Sequence, residues 1–190
     1  MAIHGAVGFR ANMLRMENGE LIISSPLFRG FEWPEPVTWA ECKKCPKDED
    51  GHVISEEDCS CGIYSTLTLS VLDHYVDDAH YVPILVEALG WYWFHWKEPQ
   101  WIDQPVDKQV RGLTSSGVQV IAVIGDYNPN PDSYPLLWIQ ALASYYSVPI
   151  IGIAEAKALA EWAWEQFIPK EDEHEPNIDP SLLVSKPLNP

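Results

Sequence analysis

All four cysteines of the chain fall between positions 42 and 61, as Cys42-Lys43-Lys44-Cys45 and Cys59-Ser60-Cys61. Thiolate and imidazole groups at such spacing are zinc ligands, because zinc takes four of them in a tetrahedron. The two-residue gap lets Cys42 and Cys45 turn toward one ion. The Cys59–Cys61 gap is tighter, and Gly62 supplies the backbone freedom that a tight knuckle needs. Four thiolates leave no open position for water, so the expected site is structural and not catalytic. His52 lies inside the loop that the metal would close. A shell of Cys42, His52, Cys59 and Cys61, with Cys45 spare, is therefore the alternative. Free thiols or one disulfide are the plainer reading, and clustering in a chain read as intracellular favours the metal.

A second group of chemistry-bearing residues is His74, Asp77, Asp78 and His80. On a helix His74 and Asp78 share a face at i, i+4. On a strand His74, Asp78 and His80 share one. Either arrangement could hold a second metal or supply acid and base groups, although a solvated polar stretch is the ordinary outcome. Asp126 follows a β-branched run, where functional carboxylates sit in many α/β sites and where an ordinary loop also starts with Asp. These groups define the enzyme alternative, a metal-assisted hydrolase using His74, Asp78, His80 or Asp126. Phosphate-binding glycine loops, Gly-x-Ser-x-Gly and His-Glu-x-x-His are all missing from the sequence. The run Trp91-Tyr92-Trp93-Phe94-His95-Trp96, with Trp101 nearby, is apolar on both faces of a strand. It is either buried on two sides or a partner-contact surface formed by Trp91, Trp93, Trp96 and Trp101.

The chain has 190 residues and a formal net charge of −16. Such a field repels a phosphate backbone, so general nucleic-acid binding is disfavoured. It keeps a Trp-rich chain soluble and suits a basic protein partner. No apolar run is long enough to span a membrane. The N-terminal residues lack the basic and apolar regions of a signal peptide. The expected location is cytoplasmic, or a virion if the chain is phage-encoded.

The elements that must position these groups follow from pattern. Ala6–Arg10 and Leu21–Ile23 flank Asn18-Gly19, a hairpin signal. Residues 65–81 fit a strand or a helical turn. Residues 82–96 are almost continuously apolar, with strand favoured in the aromatic half and Gly90 as a bulge or bend. Residues 97–116 read as a polar connection, and Val118–Ile124 as a buried strand. A helix is expected over Tyr134–Tyr146 with Leu137, Trp138, Ala141, Leu142 and Tyr145 on its apolar stripe. A second is expected over Ala154–Phe167, burying Leu159 and Trp162 and ended by Pro169. The expected fold is α+β: a mostly antiparallel sheet with a zinc knuckle and two C-terminal helices. One globular domain would span 1–169, with an acidic, Pro-rich tail over 170–190.

Several of these strings together resemble a group of uncharacterised proteins from actinobacteria and their phages. They are Gly8-Phe9-Arg10, Trp33-Pro34, Ala40-Glu41-Cys42, His52 and Cys59-Ser60-Cys61-Gly62-Ile63-Tyr64, with Ser65 where the group has Ala. Gly117–Ala122 is loosely similar to a strand of the group, with Val118 and Gln119 in place of Tyr and Arg. Leu142–Pro149 is similar to its Leu-Ala-x-x-Tyr-Gly-Val-Pro turn, with Ser147 in place of Gly. The resemblance carries no activity. It implies that His52 belongs with the Cys-x-Cys pair as a ligand. The expected function is that of a small acidic, zinc-stabilised phage or bacterial protein that binds another macromolecule. A hydrolase and a virion component are the alternatives.

Overall fold

The structure is a computed structural model that describes residues 3–25, 32–40, 62–67, 69–72, 81–97, 110–127 and 136–167. Strands β1 (Val7–Glu17) and β2 (Glu20–Ser24) form the expected hairpin. Glu17 pairs with Glu20 across a two-residue turn. Asn18 and Gly19 both have positive φ, 52° and 87°. That is the primed turn whose twist matches paired strands, and it is why Asn-Gly marks it.

Two long strands carry the sheet, β5 (Tyr81–Lys97) and β6 (Val110–Ile124). The antiparallel β5–β6 ladder runs from Ile84↔Val123 to Lys97↔Val110. The polar connection expected over 97–116 is thus shorter, because β6 begins at Val110. Thr114 and Ser115 are paired strand residues despite their polarity, since two neighbouring strands flank them and supply the ladder. Gly90 is the irregularity expected: its φ is +68°, and the β5–β6 register shifts between Leu89 and Tyr92.

The other edge of β6 is filled by three short strands in succession. These are β3 (Val37–Trp39), β4 (Ile63–Thr66) and β7 (Ile150–Ile151). β7 pairs in parallel and the rest of the sheet is antiparallel. β1 pairs with β5 over Val7–Met13, and Phe9 also pairs with Thr66 of β4. The pairings β1–β5–β6–β4–β1 therefore close a ring. A short 3₁₀ turn at Leu69–Leu72 follows β4, in the stretch where strand and helical turn were both open.

Helices α1 (Leu136–Tyr146) and α2 (Ile153–Phe167) cover opposite faces of the sheet. Both differ from expectation in the stripe they bury. α1 buries Ile139, Leu142, Ala143 and Tyr146 against Leu14, Ile84, Val86 and Val120, and leaves Leu137 (70% exposed) and Tyr145 outside. The rotation is set by Tyr146, whose hydroxyl has a buried partner described below. α2 buries Ala156, Ala160 and Ala163 against Phe9, Leu85 and Ile124, while Leu159 is half-buried and Trp162 exposed. Bulky residues on the sheet leave room only for small ones on the helix, the complementary filling that close packing requires. Trp162 packs edge-on against Phe167 instead, with ring centroids 6.3 Å apart.

α1 ends where Ser147 takes the left-handed region, φ 56°. The Val148 N–H then donates to the Ala143 carbonyl at 3.0 Å. This is a Schellman ending with Ser in the position usually given to Gly.

Because both faces are covered there, Val82–Val86 of β5 and Val120–Ile124 of β6 read in sequence as unbroken apolar runs. No helix among the described residues is long and apolar enough to cross a membrane.

Candidate functional site

Arg10 sits in the middle of β1 on the α1 side of the sheet. Its guanidinium lies over the Trp33 ring, 4.8 Å from the centroid. One Nη donates to the Tyr64 carbonyl and the other to Ser25 Oγ at 2.9 Å. A guanidinium is suited to this junction because it stacks and donates in its plane at the same time. Three strings far apart in sequence, Gly8-Phe9-Arg10, Trp33-Pro34 and Gly62-Ile63-Tyr64, thus meet at one side chain. Gly8 belongs to the same junction: a Cβ there would stand 2.8 Å from Ser65 Oγ.

The junction continues beneath α1. Trp33 is fully buried, and its carbonyl accepts from the Tyr146 hydroxyl at 2.9 Å. Tyr145, next along the helix, donates to the Pro34 carbonyl at 3.1 Å from an exposed position. Burial, and secondarily the neighbouring Tyr145, push the Tyr146 hydroxyl well above the usual tyrosine range. Asn12 is fully buried beside it and tempers that shift slightly, but its amide is not in hydrogen-bond geometry with any group. Tyr64 and Tyr92 are also raised by burial. Sequence reasoning singled out Arg10 and Trp33 only as parts of a string. Their contact needed the closed ring of strands to exist.

The cysteine segment is framed by the sheet. β3 pairs with Gln119–Gly117 and β4 with Ser115–Gly112, both running the same way along the β6 edge. The Ala40 N–H donates to the Ser116 carbonyl at 2.7 Å, and Ile63 pairs with Ser115. The chain therefore leaves β6 after Ala40 and is back on it one residue further along. Cys42, Cys45, His52, Cys59 and Cys61 all lie outside the described residues. So do His74, Asp77, Asp78, His80, Trp101 and residues 170–190. Trp91, Trp93 and Trp96 belong to β5 by backbone, Trp93 opposite Thr114 and Trp96 opposite Arg111, and their side chains are outside the described set. Among the described residues no three His, Cys, Asp or Glu side chains gather to hold a metal.

The one candidate acid that is described, Asp126, serves the fold. Its Oδ1 accepts from the Ile153 N–H at 2.5 Å. It thereby satisfies a first-turn N–H of α2 and places negative charge at the positive end of the helix. Glu87, buried in β5, accepts from the backbone N–H of His4 at 2.5 Å and ties down the N-terminal segment. Arg10, Asp126 and Glu87 are thus engaged in holding strands, a helix end and a terminus.

No protein family, curated protein or solved structure matches this chain.

Proposed function

We propose that this protein is an acidic, zinc-stabilised binding module whose partner is a protein of basic character. The observation that carries the reading is the use made of three ionisable side chains of the described fold. Arg10, Glu87 and Asp126 all serve architecture, while the chain carries a net charge of −16 and exposes large apolar side chains such as Trp39, Leu137 and Tyr145. A surface that combines like charge with apolar anchors suits a macromolecular partner of opposite charge.

The zinc belongs to the same proposal. Two supports favour it: the ligand spacing between Cys42 and Cys61, and the frame of β3 and β4. That frame holds both ends of the segment on adjacent residues of β6, so a clasp across those ends closes a loop whose termini are already together. A closed shell would order the segment and take no part in chemistry. Metal analysis of the purified protein is expected to give about one zinc per chain. If His52 is the fourth ligand, His52→Ala loses zinc and Cys45→Ala keeps it. The opposite result restores the four-cysteine shell, and a metal-free folded protein removes zinc from the proposal.

The binding reading is tested by cross-linked capture from the producing cells. A basic protein that is retained at low salt and released at high salt is expected. Failure to retain any protein at low salt would refute it.

A further inference from the structure

Trp39 is the last residue of β3 and is 54% exposed. Its ring nevertheless has a fixed bed. It lies against Gly117 of β6, where a Cβ would stand 2.5 Å from the indole Cε3. It reaches on to Gly90 of β5, where a Cβ would stand 3.2 Å from Cζ3. Trp39 pairs with Gly117, and Gly117 pairs with Leu89, so the indole crosses three strands over two residues that lack side chains. One ring face is held by backbone and the other is open. Covering cross-strand glycines is a known use of aromatic residues in sheets, but that use does not require the outer face to stay bare.

The neighbouring row on the same sheet face is Val37, Gln119 and Glu87, Cα partners across β3, β6 and β5. Gln119 is exposed, whereas every other residue from Gly112 to Ile124 is buried or half-buried. Opposed positions in such a row hold their Cβ atoms about 5 Å apart, so the Gln119 side chain starts beside that of the buried Glu87. The segment that leads into the ring, residues 32–40, carries exposed Glu32 and Glu35 and no basic residue.

From these placements we infer that Trp39 is a stacking platform for an arginine side chain of a basic partner segment, with Gln119 as the adjacent hydrogen-bond acceptor. A guanidinium is the group that meets all three features at once. It stacks on an indole face, donates in its own plane, and carries the charge that an acidic surface attracts. Lysine matches the charge but not the plane, and a neutral sugar ring matches the plane but not the charge. This inference rests on the binding reading above and names the partner chemistry for one of its surfaces.

The test titrates the full zinc-loaded chain with a short Arg-Gly repeat peptide and a Lys-Gly peptide of equal length and charge. The Arg peptide is expected to bind several-fold more tightly. Trp39→Ala is expected to weaken it about 5-fold and to abolish the preference, within the range known for cation–π contacts. Trp162→Ala, which removes an exposed indole elsewhere, is expected to leave both affinities unchanged. A readout on the unmutated protein guards against a misfolded variant: the δ-methylene protons of the bound arginine should shift upfield in the ring current of the indole. Equal affinity for both peptides would overturn the inference while leaving charge-driven binding intact. So would the absence of an upfield shift, or tighter binding of a neutral oligosaccharide at Trp39.

Discussion

Tyr146→Phe removes one oxygen from the underside of α1. The lost hydroxyl donates to the Trp33 carbonyl at 2.9 Å, and both residues are buried. A net hydrogen bond contributes about 1 kcal/mol, and a buried acceptor left without its donor costs about 1–3 kcal/mol. The expected loss is therefore about 2 kcal/mol of unfolding free energy. For a domain of this size that corresponds to a melting temperature lower by roughly 4–8 °C. Tyr145→Phe is the internal control. It deletes a similar bond, to the Pro34 carbonyl at 3.1 Å, from an exposed position where water replaces the partner, and should change stability by less than about 0.5 kcal/mol. Denaturant unfolding followed by circular dichroism, on all three proteins, measures both values. The pH dependence adds a second arm. Burial raises the Tyr146 pKa above its unfolded value, so the folded state holds this proton more tightly. Stability from this group is complete below about pH 10 and is lost as the pH rises above it. Tyr146→Phe should therefore flatten the alkaline loss by up to about 1.4 kcal/mol per pH unit. Part of the slope should remain, because Tyr64 and Tyr92 are raised as well. A Tyr146→Phe protein as stable as the parent, or a Tyr145→Phe protein less stable than it, would refute the reasoning.

Leu142→Ala should cost about 2–5 kcal/mol, because its side chain is fully buried under α1. Leu137→Ala on the exposed side should stay within about 0.5 kcal/mol; reversed values in the same denaturation assay would put the helix the other way round. Ser147→Gly should stabilise the protein by about 0.5–1 kcal/mol, since Ser147 holds a φ of 56° that glycine adopts without cost; a lower melting temperature would contradict the Schellman ending. Asp126→Ala should cost about 1 kcal/mol by freeing the first N–H of α2, and faster amide exchange confined to that helix start is the check.

Local chemistry made some elements legible from the chain alone. Asn18-Gly19 specifies a primed hairpin turn whatever surrounds it, because so few residues accept two positive φ values. Gly90 announced a break in an aromatic strand for a related reason. Both helices fall where their composition placed them, to within two residues at the N-terminus. The cysteine spacing raises the expectation of a zinc ligand set without reference to any fold. Tertiary structure decided the rest. Which stripe of α1 is buried depended on a carbonyl presented by Trp33, more than a hundred residues away in sequence. That α2 would bury alanines and leave Trp162 outside depended on the bulk of the sheet it meets. That Arg10, Trp33 and Tyr64 share one guanidinium depended on strand pairing that no local pattern encodes. The same holds for the segment that opened the argument. Its spacing raises the expectation of zinc, but only the return of the chain to the next residue of β6 brings Ala40 and Ile63, which flank the segment, onto neighbouring positions. Backbone preferences act within a few residues and are readable in order. The partners of buried polar groups are chosen in space, and the closed ring of strands is what brings them within reach.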